Sequence, residues 1–248
     1  MYFLCIIFLI FILGGFILKI LSIDTASNIC SVAILEDKNL IKEISLDDLK
    51  THSEKLMPMI EEIFSKTNLS LKDIDLIICD KGPGSFTGIR IGVATAMSFT
   101  DTLNIPAIGV SSLEALVYNE KQKGLICSLI DANNSNVYFS LYELKENTYS
   151  LKENYCCENI NIIIEMLKKY DLPITFVGDG VISYMNLISE NLPNSKFSSN
   201  NYLSSYSLGL AGYSRYMSND FQDLLPLYLR KSQAERALEE KNNASTNN

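Results

Sequence analysis

The sequence predicts an α/β protein whose two lobes repeat one design, and three observations lead to this prediction. Residues 76–103 contain a short apolar run, a glycine-rich turn and a long stretch with helical periodicity. A predicted hairpin whose first strand ends at Asp24 precedes this segment, and residues 129–142 repeat the hairpin with Asp131 in the same place. The apolar run at 174–177 is again followed by a glycine-containing turn and a helical stretch. The matching order of elements indicates two lobes of one ancestral design.

The glycine-rich turn follows a predicted buried strand at residues 76–79 and precedes an amphipathic helix that begins near Thr87. Gly82 and Gly84, with a proline between them, force a tight turn there. Free N–H groups at such a helix start favour a phosphate or a carboxylate. The alternative is that the glycines only permit the turn. No Gly-Lys-Ser/Thr ending follows, so the turn is not a Walker P-loop.

Composition excludes several classes of function. The chain has 248 residues, 47% of them apolar, which excludes general disorder and allows one large domain or two lobes. Its net charge is −8, and its Lys and Arg residues are scattered, so unaided nucleic-acid binding is not expected. The six cysteines form no C-x-x-C pair, which predicts buried free thiols in a reducing compartment. His52 is the single histidine, which leaves little for a His-rich metal site or a Ser-His-Asp triad.

Residues 1–18 form an apolar leader that is barely long enough to span a bilayer. The leader lacks a basic n-region and a small-residue cleavage site. Lys19 leads straight into the first predicted core strand, so a membrane anchor would tether that strand at the bilayer surface. We therefore expect a misassigned start, with Leu18 encoded by an alternative start codon; the other interpretation is a membrane anchor. Amino-terminal sequencing of the native protein distinguishes the two.

A helix is predicted after Thr51, which with Glu54 forms a capping box. A third strand of the first lobe is predicted at residues 42–45. The apolar side chains of the helix cover about 160° of its circumference, more than one core-facing stripe requires. This methionine-rich excess predicts contact with a partner; the alternative is a helix sandwiched within its own domain. The apolar positions are Leu56, Met57, Met59, Ile60, Ile63 and Phe64.

The remaining elements define the predicted domain boundaries. A second capping box at Ser111 and Glu114 begins a short helix, and residues 206–217 are predicted to form another. We place the N-terminal lobe at residues 19–111, the C-terminal lobe at 112–232 and a polar, disordered tail at 233–248. The last lobe includes a short extended piece at 225–230, and the tail begins with a charged, helical stretch at 233–240.

Several segments, taken together and in order, resemble the TsaB family, and the resemblance covers residues 18–232. Two lobes that each open with an Asp-bearing hairpin resemble the actin-like ATPase (ASKHA) fold, with two duplicated RNase H-like lobes. The block GPGSFTGIRIG is the most specific part of the match. The other segments are IDTASNICSVAI, THSEKLMPMIEEI, IPAIGVSSLEAL, IDANNSNVYFSLYE and LPLYLRKS.

The resemblance implies a bacterial cytoplasmic protein that is needed to make threonylcarbamoyladenosine in tRNA. TsaB-like proteins resemble a degenerate sister of the catalytic subunit TsaD. They pair with TsaD as a scaffold, support assembly with the ATPase TsaE, and meet tRNA only through the complex. The alternative occupant of the helical surface that pairs with TsaD is a second TsaB. Where TsaD-like chains carry two metal-binding histidines, this sequence has residues 109–112, Gly-Val-Ser-Ser. We therefore expect no metal, no cofactor and no catalytic residue; the alternative is an active small-molecule kinase or ATPase of the same fold.

Two groups of candidate residues follow from the motifs and the resemblance. Asp24 and Asp131, with Gly82 and Gly84, are weak candidates for holding a magnesium-bound nucleotide between the lobes. Thr25, Ala26 and their counterparts stand where active ATPases tend to have glycine, which argues against that role. The predicted partner interface lies on the histidine helix and on the helix after the glycine-rich turn. Its residues are His52, Leu56, Met57, Ile60, Phe64, Arg90 and Met97.

Overall fold

The computed structural model describes residues 17–27, 29–47 and 52–231, apart from the side chain of His52. Two five-stranded sheets organise this part of the chain. Most of the predicted leader, Thr51 of the first capping box and the predicted tail lie outside the described residues.

The first sheet has the strand order β3-β2-β1-β4-β5, with antiparallel pairs on one side and parallel pairs on the other. Alternating strand residues face opposite ways, and one face, which includes Leu21 and Ile23, packs against both helices of the lobe. The elements are β1 (Lys19–Asp24), β2 (Ile29–Glu36), β3 (Asn39–Asp47), α1 (His52–Thr67), β4 (Leu76–Asp80), α2 (Phe86–Leu103) and β5 (Ala107–Val110).

The second sheet has the order β10-β9-β6-β7-β8. Read from β8, each strand takes the place of its counterpart in the first sheet, and the pairs are antiparallel and parallel at matching places. The predicted duplication of lobes is confirmed. The elements are β6 (Gly124–Asp131), β7 (Asn136–Lys145), β8 (Thr148–Asn159), α4 (Ile160–Leu167), β9 (Ile174–Val177), α5 (Asp179–Asn191) and β10 (Lys196–Phe197).

The last helix of each repeat packs on the sheet of the other repeat. Helix α3 (Ser112–Val117) follows the first sheet but contacts β6 and β7, whereas α6 (Ser205–Met217) follows the second sheet but packs on β1 and β2. Gly209 and Gly212 allow the close approach of α6, because a Cβ at these positions would lie 2.7 Å from Leu35 Cδ1 and 2.4 Å from Ile78 Cδ1. The predicted C-terminal lobe, residues 112–232, therefore contributes one helix, α6, to the packing of the first sheet.

A buried ion pair joins the two exchanged helices. Arg215 in α6 donates from Nε and Nη2 to both carboxylate oxygens of Glu114 in α3, at 2.5–3.0 Å. The hydroxyl of Tyr155 in the second lobe donates to Glu114 at 3.4 Å, and Arg215 also binds Asp220. Burial raises the pKa of Glu114, although the hydrogen bonds and the positive charge of Arg215 act in the opposite direction. The pair lies at the junction of the lobes, so both lobes depend on it.

The ends of the strands and helices predicted from periodicity agree with the structure to within five residues. Leu18 is already buried, and its backbone N–H donates to Asp37 Oδ1 at 3.0 Å, so the packed core begins one residue before the predicted boundary. Cys30, Cys79 and Cys127 are buried free thiols, as predicted, whereas Cys156 and Cys157 are only half-buried. Among the described residues, no helix is long and apolar enough to cross a membrane.

Candidate functional site

A cleft of about 900 Å³ lies between the lobes. Its first-lobe wall contains Ala26 and Ser27 from the β1–β2 turn and residues 83–86 from the glycine-rich turn. Its second-lobe wall contains residues 130–133 from the β6–β7 turn and Asp179 at the start of α5. The cleft thus brings together the two turns that the sequence marks as repeats.

In the β1–β2 turn, the carboxyl group of Asp24 and the hydroxyl group of Ser27 form hydrogen bonds with other groups of the same turn. Asp24 is fully buried; its Oδ1 accepts from Ala26 N at 2.8 Å, and its Oδ2 accepts from Ser27 Oγ at 3.0 Å. The N–H of Ile29 donates to Ser27 Oγ at 3.2 Å. Asp24 does not line the cleft. The arrangement corrects the expectation that Asp24 and Asp131 face a nucleotide together, because the Asp24 carboxyl group lies beneath the turn.

The glycine-rich turn packs directly on the β1–β2 turn. Ser85 N donates to Ala26 O at 2.8 Å, and a Cβ on Gly84 would lie 2.2 Å from that same oxygen. A Cβ on Gly88 would lie 1.9 Å from Thr25 O, and Thr25 Oγ1 donates to Gly88 O at 2.7 Å. The glycines therefore allow two backbone segments to touch within one lobe.

Asp80 forms a buried carboxyl pair with Asp24, and the sequence analysis missed it. Asp80 Oδ1 accepts from Gly82 N at 2.6 Å and from Ser112 Oγ at 2.7 Å. Burial and the charge of Asp24 raise the pKa of Asp80 well above its usual value. Burial also raises the pKa of Asp24 to about 6, although the donors around it oppose this shift. Asp80 Oδ2 is buried and has no hydrogen-bond partner among the described residues, so we assign a proton to Asp80.

A sequence signal for this pair does exist. β1 and β4 are parallel neighbours, Ile23 is paired with Cys79, and both strands end in aspartate. Carboxyl ends of adjacent parallel strands lie side by side at one sheet edge, so two aspartates there are expected to meet.

The β6–β7 turn of the second lobe is also closed by internal hydrogen bonds. Asp131 Oδ1 accepts from Asn133 N at 2.8 Å, and its Oδ2 accepts from Ser183 Oγ at 3.2 Å. The N–H of Asp131 donates to Asp179 Oδ1 at 3.0 Å. Burial raises the pKa of Asp179. Unlike Asp24, Asp131 is half-buried and lines the cleft.

The predicted interface residues divide into two sets. Leu56 and Ile60 are only 1% and 3% exposed and pack in the first-lobe core, so their assignment to an accessible surface is wrong. Met57 on α1 and Met97 on α2 are each 44% exposed. Phe64 is partly buried against the same core.

Arg90 and His52 complete the predicted interface set. Arg90 is exposed, and its Nε donates to Tyr228 Oη at 3.0 Å. His52 is the first residue of α1, and its side chain lies outside the described residues. Among the described residues, no group of three or more His, Cys, Asp or Glu side chains could hold a metal ion.

Two duplicated α/β lobes that face each other across a cleft define a protein of the actin-like fold. A ROK hexokinase from Thermus thermophilus shares this fold with a TM-score of 0.54 at 8% identity, over 81% of this chain and all of that one. YeaZ from Pseudomonas aeruginosa is more similar, with a TM-score of 0.70 at 24% identity over 86% of this chain and all of that one.

The family is defined by sequence. Residues 46–238 match the family model described as TsaD, tRNA N6-adenosine threonylcarbamoyltransferase. The tRNA threonylcarbamoyladenosine biosynthesis protein TsaB of Bacillus subtilis is 32% identical over 224 residues, which are 88% of this chain and 96% of that protein. This chain belongs to the TsaB family, whose members take part in tRNA threonylcarbamoyladenosine biosynthesis.

Proposed function

We propose that this chain is the non-catalytic scaffold subunit of the complex that makes threonylcarbamoyladenosine in tRNA. It pairs in the cytoplasm with a TsaD-like catalytic subunit and supports transfer of the threonylcarbamoyl group to the adenosine beside the anticodon. It also supports assembly with a TsaE-like ATPase and pairs with a second copy of itself. It needs no cofactor and meets tRNA only through the complex.

The observation that carries this proposal is the closed state of both cleft-facing turns. Binding of a nucleotide phosphate at such a turn requires backbone N–H groups that point at the ligand. Here the N–H groups of Ala26 and Asn133 donate to the aspartate that precedes each turn, and Ser85 N donates to Ala26 O. A phosphate would have to displace these hydrogen bonds, and Asp24 would have to leave its buried position.

The surface that supports pairing is the exposed side of α1 and α2, which pack against each other. Met57 and Met97 present flexible apolar side chains there, which suits a surface that adapts to a partner helix. Leu56 and Ile60 support this surface indirectly, because their buried side chains hold α1 in place on the first sheet.

Reconstitution of tRNA modification tests the proposal. Purified TsaD-like and TsaE-like subunits, tRNA and threonylcarbamoyl adenylate are combined with and without this chain. We expect modification only when the chain is present, and no modification by the chain alone. Modification by the chain alone, or full activity in its absence, would contradict the proposal.

The size of the interlobe cleft favours one second candidate, a small-molecule kinase of the same fold. Isothermal titration with Mg-ATP separates the two candidates. A micromolar dissociation constant for the isolated chain, with turnover, would favour the kinase, whereas the scaffold predicts no tight binding.

A further inference from the structure

Residues 222–230, which contain the LPLYLR motif, form no helix or strand, and Arg230 at their end lines the cleft. We call this segment the strap. Its first part is fixed to the first lobe by backbone hydrogen bonds. Gly109 N donates to Gln222 O at 3.1 Å, and Leu227 N donates to Lys81 O at 2.7 Å. These bonds lie beside β4 and β5, next to the glycine-rich turn.

An aromatic contact completes the first-lobe anchor. The ring of Tyr228 stacks on Phe86, the first residue of α2, with ring centroids 4.6 Å apart and an interplanar angle of 8°. Arg90 donates to the Tyr228 hydroxyl and also lies 5.7 Å from its ring centroid. Phe86 therefore packs on the face of the Tyr228 ring and Arg90 binds its hydroxyl group, and both residues lie near the start of α2.

The next two residues bind the second lobe. Leu229 packs in a small cluster with Ala132 and Tyr138 of the β6–β7 hairpin, and with Leu113 of α3. The Arg230 guanidinium donates from Nη1 to Ala132 O, and Arg230 lines the cleft. A charged donor on a backbone carbonyl is a strong hydrogen bond.

We propose that the strap fixes the opening of the interlobe cleft, with Tyr228 as its first-lobe anchor and Arg230 as its second-lobe latch. The reason is the short length of chain between the two anchors. Residues two apart in sequence have Cα atoms at most about 7 Å apart, even in a fully extended chain. The stacking platform at Phe86 and the turn at Ala132 therefore cannot separate much without breaking one of the two anchors.

Interlobe distance measurements on the full chain test this inference. Spin labels are attached through non-natural amino acids at exposed Glu61 in α1 and Asn186 in α5. Double electron–electron resonance is recorded for the wild type, Arg230→Gln and Tyr228→Ala. We expect one narrow distance in the wild type and a longer, broader distribution in both variants. Lys121→Gln, which also removes one positive charge but at an exposed position, is the control and keeps the narrow distance.

Hydrogen exchange supplies an independent measurement. Because the strap would then be held by one lobe only, Arg230→Gln is expected to speed exchange of the Leu227 and Gly109 amides by about tenfold, although both lie in the first-lobe anchor. An unchanged distance distribution in both strap variants would overturn the inference. Faster exchange confined to the β6–β7 turn would also overturn it, because Arg230 would then make only a local contact.

Discussion

The two lobes share a topology but differ in the turn that follows their first strand. Asp24 is fully buried, paired with Asp80 and covered by the glycine-rich turn, whereas Asp131 is half-buried and lines the cleft. The first lobe also has the longer outer helices, α1 with 16 residues and α2 with 18, against α4 with 8 and α5 with 13. The two lobes therefore share their strand order, whereas the first lobe has the more deeply buried aspartate at its turn and the longer outer helices.

The largest expected difference between the lobes concerns α1. Ile60→Glu places a charge in the first-lobe core and is expected to cost about 4 kcal/mol or more. Ile162→Glu in α4 of the second lobe, where the side chain is 55% exposed, should change stability by about 0.5 kcal/mol or less. Urea unfolding followed by circular dichroism measures both. Equal losses of stability in the two variants would contradict the placement of Ile60 in the core and of Ile162 on the surface.

A somewhat smaller loss is expected at the junction that both lobes share. Arg215→Ala leaves Glu114 buried without its partner and should cost about 3 kcal/mol. Glu114→Gln combined with Arg215→Met removes both charges and should recover most of that loss. Unfolding should stay a single transition in the wild type, because the exchanged helices couple the lobes. Separate unfolding of the lobes in the wild type would contradict this coupling.

The carboxyl pair gives the first lobe a pH dependence. The pKa of Asp24 is raised to about 6 from 3.8, so the folded state binds more protons than the unfolded state between these values. The stability that protonated Asp24 contributes is therefore fully present below pH 3.8 and is lost as the pH rises through 6, whereas the pKa of Asp80 lies well above its usual value. Asp80→Asn supplies a neutral side chain at every pH and should reduce this loss by about 2 kcal/mol between pH 5 and pH 8.

Urea titrations of both proteins at the two pH values make the comparison. Asp24→Asn should also flatten the profile, because it removes the carboxyl group whose pKa is raised to about 6. A wild-type profile that rises from pH 5 to pH 8 relative to both variants would contradict the assigned proton.

Local patterns predicted most elements of this fold, but they did not predict how those elements meet. The strand, turn and helix around Gly82 follow from hydrophobic period and turn chemistry. The wide apolar arc of α1 indicated an additional contact but not which residues faced inward, so Leu56 and Ile60 were assigned to the wrong side. The exchange of α3 and α6 was missed because the hydrophobic pattern of a helix does not indicate which of two sheets its apolar face packs against. Asp80 was missed because its partner Asp24 is distant in sequence.

The most direct test of the central claim combines the exposed helical surface with the complete modification reaction. Met57→Glu and Met97→Glu alter the α1–α2 surface, and Met185→Glu alters a methionine of similar exposure on α5 of the second lobe. In a reconstituted reaction with TsaD-like and TsaE-like subunits, we expect the two first-lobe variants to lose at least tenfold in tRNA threonylcarbamoylation and in TsaD binding, which is about 1.4 kcal/mol. Met185→Glu should retain wild-type activity, and all three proteins should unfold as the wild type does. Full activity of both first-lobe variants, or an equal loss in Met185→Glu, would contradict the account.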